Sequence, residues 1–528
     1  MSQTIQAIPT PGSKQDERVL ILDYGGPYKQ IVGRKVRDLH VYCEIRPAST
    51  PGSDIAAGKY HAIILSGGDQ SVNDPDAPTA DPELLSLGLP VLGIGYGAHW
   101  LTKTLGGQVT ASERAEAGLE TLTYDRSGAI FSGLPTDGEV WVSQTNEITV
   151  LPAGVRALQA GGSGASGSSA TAAFTNEDQT IIGLQFHPEM AQTEHGSDML
   201  ANFLFRIAGL KGSWIVDRFI EESVEGIREA VGQGRVLSGF SGGVDSSVAS
   251  LLVHQAVGEQ LTCIFVDHGL LRQDEGDQVM EVFANEFKMH IIRVDARERF
   301  YTRLDGVTDP EAKRKIIGEE FIRVFEEEAA KLGEVDDLVQ GTIYPDIMES
   351  GVDGAMIKSH HNVGGLPADI GFKGLIEPLR DLFKDEVREV GEQLGIPEAL
   401  VWRQPFPGPG LAVRIIGAIT AERVQILQRA DAIFREEIAR ASLHRDYSQY
   451  FAVLTDMRSV GVKRNARSYD YTVGLRAVIT NDFMTASWAR IPYDLLALVS
   501  ERIVDEVDGV NRVVYDITGK PPATIEWE

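Results

Sequence analysis

The chain has 528 residues, 43% hydrophobic and 24% charged, with a formal net charge of −27, which predicts three or four soluble globular domains, each with its own core. The acidic balance excludes general affinity for nucleic acid or an anionic membrane, so an anionic substrate must be met by local donors. Two cysteines, Cys43 and Cys263, exclude a disulfide framework and any thiolate metal cluster. No run approaches the ~18 apolar residues of a membrane span, and the opening MSQTIQAIPTPGSKQDER lacks a signal-peptide layout. A cytoplasmic protein is expected.

In chain order, a polar tail over 1–17 precedes an apolar strand, Val19-Leu20-Ile21-Leu22-Asp23, and the turn Tyr24-Gly25-Gly26-Pro27. Strand followed by glycine is how an α/β domain begins. Two similar strands follow, His61 to Leu65 before Ser66-Gly67-Gly68 and Pro90 to Ile94 before Gly95-Tyr96-Gly97, and Ala160 to Ala170 reads as a Gly/Ser-rich loop. A helical pattern over Asp198 to Ala208 ends in Gly209-Leu210-Lys211-Gly212, closing a domain over 18–210. A second α/β unit, 211–403, opens on the strand Arg235 to Phe240. The third part, 404–528, opens on the stiff Pro405-Phe406-Pro407-Gly408-Pro409-Gly410 and ends in alternating strands and helices.

The most informative motif is Ser241-Gly242-Gly243-Val244-Asp245-Ser246-Ser247, set between an apolar strand and the helical run Val248 to Ala256. Glycines let backbone N–H groups approach an anion, the serines add donors, and the helix N-terminus supplies a favourable dipole. Such a loop cradles phosphate. It lacks the lysine of GxxxxGK[ST], which disfavours a kinase or GTPase. The plainer alternative is a glycine turn capped by Asp or Ser.

The heptad resembles the pyrophosphate loop of the N-type ATP pyrophosphatases. Five further segments resemble the GMP synthetase family in order and spacing: Phe265 to Arg272, Asp309 to Lys315, Gln340 to Asp346, Lys358 to Leu366 and the terminal Gly519 to Glu528. The resemblance covers nearly the whole chain. It implies a class I amidotransferase-like domain, an ATP pyrophosphatase domain with a Rossmann-like parallel sheet, and a small α+β C-terminal domain that dimerises.

In that family the C2 oxygen of XMP attacks the α-phosphate of ATP, and ammonia then displaces AMP to leave GMP. The resemblance implies ATP and Mg²⁺, with no residue assigned to the metal. Ser241, Gly242, Gly243, Val244, Asp245, Ser246 and Ser247 would bind ATP, and Asp245 and Lys384 would be catalytic, Lys384 stabilising developing negative charge. Otherwise Lys384 is an exposed helical lysine paired with a nearby acid. Asp309 to Lys315 resembles a mobile lid, or is a solvated helix start. XMP would be held by Arg272, the turn with Pro409 and Gly410, and Lys520, Thr524, Ile525 and Glu526, the carboxylate accepting from purine N–H groups.

The first domain resembles class I glutamine amidotransferases, in which a cysteine at a strand-to-helix elbow is backed by His and Glu. His187 and Glu189 stand at the corresponding positions, but the elbow reads Gly93-Ile94-Gly95-Tyr96-Gly97, with Gly95 in the place of the cysteine. Without a thiolate no thioester forms. Neighbouring positions also depart from the family: Gly25-Gly26-Pro27-Tyr28 for Gly-Ser-Gln-Tyr, Asp69 for Pro, Ala98-His99 for Met-Gln, and Ser143-Gln144-Thr145-Asn146 for Ser-His-Gly-Asp. In the other domains Gln404 replaces a His, and Lys463 to Arg467 replaces a glycine-rich stretch. His187 and Glu189 are then expected to be remnants, and the glutaminase to be absent.

The leading expectation is ATP-dependent amination of XMP to GMP by a homodimer using free ammonia. The alternatives are a homologue taking another amine or a modified purine nucleotide in a specialised or self-resistance role, and a silent nucleotide-binding regulator.

Overall fold

A computed structural model describes residues 6–7, 17–26, 28–112, 117–143, 146–158, 171–350, 372–463, 466–480, 483 and 485–528. Pro27, Gln144, Thr145, the Gly/Ser stretch from Ala160 to Ala170, the Lys358 to Leu366 motif, Arg464 and Asn465 lie outside them. The chain forms two compact units, one of residues 11–219 and one of residues 1–10 with 220–528. No described helix is long and apolar enough to cross a membrane.

The unit of residues 11–219 is built on a seven-stranded sheet. Its strands lie in the order Val155–Ala157, Ala173–Asn176, Ile181–Leu184, Val91–Ile94, Ala62–Leu65, Arg18–Asp23, Tyr42–Pro47. The first two pairings are antiparallel and the rest parallel. Val19, Leu20, Ile21 and Leu22 are all fully buried, as a parallel strand covered on both faces requires, and this explains the unbroken apolar run in sequence. Val91–Ile94 sits centrally and delivers its C-terminal end straight into the helix Tyr96–Thr104.

The larger unit holds a six-stranded, all-parallel sheet in the order Gln6–Ala7, Gly374–Ile376, Asp337–Val339, Val236–Gly239, Leu261–Asp267, Ile291–Asp295. Residues 6–7 of the expected tail thus contribute an edge strand. The order of strands along the chain reverses between Val236–Gly239 and Asp337–Val339, which opens a crevice at their C-terminal ends where ligands bind in open α/β sheets. The same unit carries a second sheet, in which Gln449–Lys463 pairs antiparallel with Ala466–Ile479, flanked by Ser487–Trp488 and, in parallel, Val510–Asp516. The helices Ala421–Arg440 and Tyr493–Glu506 pack with it. One apolar cluster runs from Leu237, Ile264 and Ile317 through Leu411 and Leu427 to Leu454 and Val473, so the packing crosses residue 404 without interruption.

Candidate functional site

The loop Ser241 to Ser247 leaves Val236–Gly239 and enters the helix Val244–Val257 at the crevice. Its serines pin it. The hydroxyls of Ser241 and Ser246 lie 2.8 Å apart, Gly243 N–H donates to Ser241 Oγ at 3.2 Å, and Ser246 Oγ donates to Gly243 C=O at 3.1 Å. These bonds hold Gly242 and Gly243 in a bend ahead of the positive end of the helix dipole. Gly341, after the neighbouring strand, packs on this loop so closely that a Cβ there would lie 3.1 Å from the Asp245 carbonyl carbon and the Ser246 nitrogen. A side chain there would push the loop back by a few tenths of an ångström, so glycine gives it the closest approach.

Lys384 is the first residue of the helix Lys384–Gln393, where the dipole disfavours a cation. It is ion-paired with Asp245. The acid that answers it is therefore on the phosphate loop rather than on its own helix, which joins the two expected catalytic residues. Among the described residues, Asp245 Oδ1 and Ser247 Oγ are buried without a partner. Arg388, one turn beyond Lys384, joins the same group although sequence reasoning misses it. Burial pulls its guanidinium below its ordinary value, while Asp245 and Asp385 oppose the effect. The available signal is its i+4 spacing from Lys384.

Arg272 follows the strand Leu261–Asp267 and is buried. Its guanidinium lies 4.2 Å from the centre of the Phe406 ring and donates through one NH2 to the carbonyls of Gln404 and Pro405 at 3.4 Å each. Burial brings it down to about 10, opposed first by the charge of Glu275 and aided by that of Arg414. The turn before Pro409 and Gly410 closes with Gly410 N–H on Pro407 C=O at 2.8 Å, and Leu411 N–H reaches Leu270 C=O at 2.8 Å. Gln404 clamps Tyr450 from both sides, its amide donating to the carbonyl and accepting from the N–H, each at 2.7 Å. An imidazole in that place could supply one such bond.

The terminal segment is docked throughout. Lys520 bridges Ala486 through the backbone and donates from Nζ to Phe483 C=O at 2.7 Å. Thr524 Oγ1 donates to the carbonyl of Glu526, and Ile525 packs in an apolar cluster with Phe451, Val453, Val478 and Ala486. Glu526, expected at a purine edge, accepts through both its oxygens from the buried Arg414, at 2.7 and 3.0 Å. Arg414 also faces Phe406, at 5.3 Å, so Arg272 and the Arg414–Glu526 pair converge on that ring. The Lys520 ammonium is instead engaged at Phe483.

The expected mobile lid is not what the chain builds. Asp309 caps the helix Pro310–Lys331, accepting from Ala312 N–H at 2.8 Å, with Pro310 at its first position. Lys313 is fully buried, donating to Ile415 C=O at 2.7 Å and paired with Glu528. Asp309 to Lys315 is an anchored helix start, not a loose cover.

At the other site, in the unit of residues 11–219, Gly95 joins Val91–Ile94 to Tyr96–Thr104 with φ 52° and ψ −111°. This is the strained turn of a nucleophile elbow, kept in a residue that suffers no steric penalty for it. A Cβ built on Gly95 would lie 3.3 Å from His187 Nε2 and 3.1 Å from Cε1. His187 Nδ1 lies 2.8 Å from Glu189 Oε1, both side chains are buried, and the imidazole stacks on Tyr28 at 4.3 Å. The base and its orienter are thus assembled around a position with no side chain. His99 meets Gln185 Oε1 at 2.8 Å, and burial pushes its imidazole down to about 4. Cys43 lies in the strand Tyr42–Pro47 and Cys263 in Leu261–Asp267, both buried and neither at the elbow. Among the described residues no cluster of His, Cys, Asp and Glu could hold a metal by itself.

Residues 20–207 match the family "Glutamine amidotransferase class-I" and residues 436–527 match "GMP synthase C terminal domain". A GMP synthase (glutamine-hydrolyzing) of Acetivibrio thermocellus is 57% identical over 515 residues, covering 97% of this chain and all of the relative. The chain belongs to the GMP synthase family. A second GMP synthase (glutamine-hydrolyzing), from Clostridium kluyveri, is 56% identical over 513 residues, with 97% of this chain and 99% of the relative covered. The crystal structure of a glutamine amidotransferase from Thermotoga maritima aligns with 37% of this chain and 100% of its own, at 17% identity and a TM-score of 0.29. The class I match takes in Gly95, His187 and Glu189, and the GMP synthase C-terminal match takes in Arg476, Lys520 and Glu526.

Proposed function

We propose that this GMP synthase family member aminates XMP to GMP, driven by ATP through an adenylated purine, with free ammonia as the nitrogen source. Family membership supports the reaction. One observation carries the choice of ammonia: the elbow holds a glycine whose missing Cβ faces His187 Nε2 at 3.3 Å. Glutamine hydrolysis at such an elbow needs a side-chain nucleophile to take up the acyl group, and glycine has none. The relatives' names state glutamine hydrolysis of those proteins; this chain differs from that chemistry at the residue on which it turns.

In this reading the loop Ser241 to Ser247 receives the pyrophosphate end of ATP with its backbone donors and the dipole of Val244–Val257. Lys384 faces the charge that develops as the α-phosphate is attacked, and Asp245 holds the ammonium in place until then. The unpartnered Asp245 Oδ1 is a hard oxygen donor of the kind Mg²⁺ takes alongside phosphate oxygens, so Asp245 would hold the ion, which would neutralise phosphate charge. Arg272, the Pro409–Gly410 turn, Lys520, Thr524, Ile525 and Glu526 would bind XMP. Residues 211–403 and 404–528 would serve as the ATP and nucleotide halves of one unit, after an amidotransferase-like 18–210. Homodimer formation is supported by the hairpin of Gln449–Lys463 and Ala466–Ile479, which exposes Met457, Val460, Val462 (80% accessible) and Tyr469.

The test incubates the pure protein with ATP, Mg²⁺ and XMP, supplying glutamine, ammonium chloride or other amines in parallel. GMP from ammonium and none from glutamine is the expected result. AMP and pyrophosphate without GMP in ammonium would point to another amine, and no turnover in any tube would point to a binder.

A further inference from the structure

Arg414 ends the short helix Gly410–Arg414 with its side chain wholly buried (0% accessible). Two of its nitrogens form a fork on Glu526, Nε to Oε2 at 3.0 Å and NH2 to Oε1 at 2.7 Å, while NH1 is buried with no partner among the described residues. Its plane is held by aromatic rings, 3.9 Å from the centre of Phe451 and 5.3 Å from that of Phe406. On Phe406 also lies Arg272, whose Nε and NH1 are likewise buried and unpartnered among the described residues.

The nearby acids are already committed. Glu275 accepts from the Arg272 backbone N–H at 3.0 Å and pairs with Arg403, and Asp431 accepts from Arg435 at 2.7 Å and from Ala452 N–H at 3.1 Å. Among the described residues Arg272 therefore keeps unanswered guanidinium N–H groups in buried surroundings, at a cost that a fold tolerates where an anionic ligand supplies the missing acceptors. Glu526, by contrast, keeps its side chain partly accessible at 20%. A carboxylate gripped from behind by a rigid fork and open in front is oriented for an external donor.

We infer that Arg414 is a positioning residue of the purine-nucleotide site: it fixes and aims the Glu526 carboxylate, and so orders the terminal segment before an anionic nucleotide arrives. This role rests on the reading of Glu526 as a nucleotide contact. Lysine cannot replace Arg414 in it, because an ammonium is a point donor without a fork.

The test measures KM and kcat for XMP and for ATP, under ammonium, in the full-length wild type and in Arg414→Lys, Arg414→Met, Glu526→Gln and the double variant Arg414→Met with Glu526→Gln. KM for XMP is expected to rise about tenfold or more in each single variant, with KM for ATP within about twofold of wild type. The double variant should be no worse than the poorer single one, since the two residues act as one unit. Arg414→Lys keeps the buried charge and answers for the role if Arg414→Met does not fold. Amide hydrogen exchange over residues 519–528 should speed up in Arg414→Lys and not in Glu526→Gln bound to XMP. If Glu526→Gln raises KM for XMP while Arg414→Lys leaves it unchanged, or if the double variant is multiplicatively worse, the positioning role is refuted. If Glu526→Gln itself leaves KM for XMP unchanged, the nucleotide reading of the terminal segment fails first.

Discussion

Gly95→Cys restores the missing thiol on an intact elbow and tests how much of the amidotransferase site survives. At φ 52° a side chain sits in backbone space that favours glycine, which costs about 1–3 kcal/mol. The new Cβ would meet His187 Cε1 at 3.1 Å and lie 3.7 Å from Gly67 Cα, so the imidazole, stacked on Tyr28, must yield by a few tenths of an ångström. For a unit of about 200 residues that strain lowers the Tm by roughly 2–12 °C. Beside Nε2 the introduced thiol is placed to lose its proton, so iodoacetamide should label it well before the buried Cys43 and Cys263. Glutamate release should nevertheless stay at the wild-type level, because Asp69, Ala98 and His99 still differ from the class I pattern. Full glutamine-dependent GMP formation by this single variant would refute the idea that the surrounding pocket has diverged with its nucleophile.

Lys384→Ala should lower kcat by about 10²–10³-fold, as loss of one transition-state donor does, while shifting stability by no more than about 1 kcal/mol, because its pair with Asp245 is partly exposed; steady-state kinetics and thermal unfolding read the two effects separately. His99 and His268 are held neutral by burial, at about 4 against 6.5 in the unfolded chain. Between those values the unfolded state binds the extra protons, so stability is present above about 6.5 and declines toward pH 4, by on the order of 3 kcal/mol per imidazole; a Tm–pH profile flatter in His99→Gln than in wild type checks this. Gln404→His keeps one of the two bonds to Tyr450 and should cost about 1 kcal/mol, visible as a lower denaturation midpoint.

Much of the architecture is legible from sequence because its signals are local. The fully buried strands at Val19–Leu22 and Leu261–Asp267 are apolar almost without interruption, and each is followed by the glycines a strand-to-loop turn requires. The Ser241–Ser247 loop and the Gly95 elbow likewise depend on backbone conformation, which glycine and serine announce. What stays hidden depends on partners distant in the chain. The fork from Arg414 to Glu526 spans 112 residues. The burial of Lys313 rests on Glu528, and a run of charge such as Asp309 to Lys315 looks solvated until its partner is known. The family resemblance offers Arg272 as a nucleotide contact, but its stacking on Phe406 and its burial under Gln404 and Pro405 arise only when residues 404–406 fold back upon it.

In the proposed reading nitrogen supply turns on the elbow at Gly95, and glutamate release by the wild-type protein tests that dependence most directly. Pure enzyme with ATP, Mg²⁺, XMP and glutamine should release no glutamate above the enzyme-free rate, while ammonium in place of glutamine yields GMP, AMP and pyrophosphate in equal amounts. Glutamate appearing in step with GMP would contradict the assignment of free ammonia.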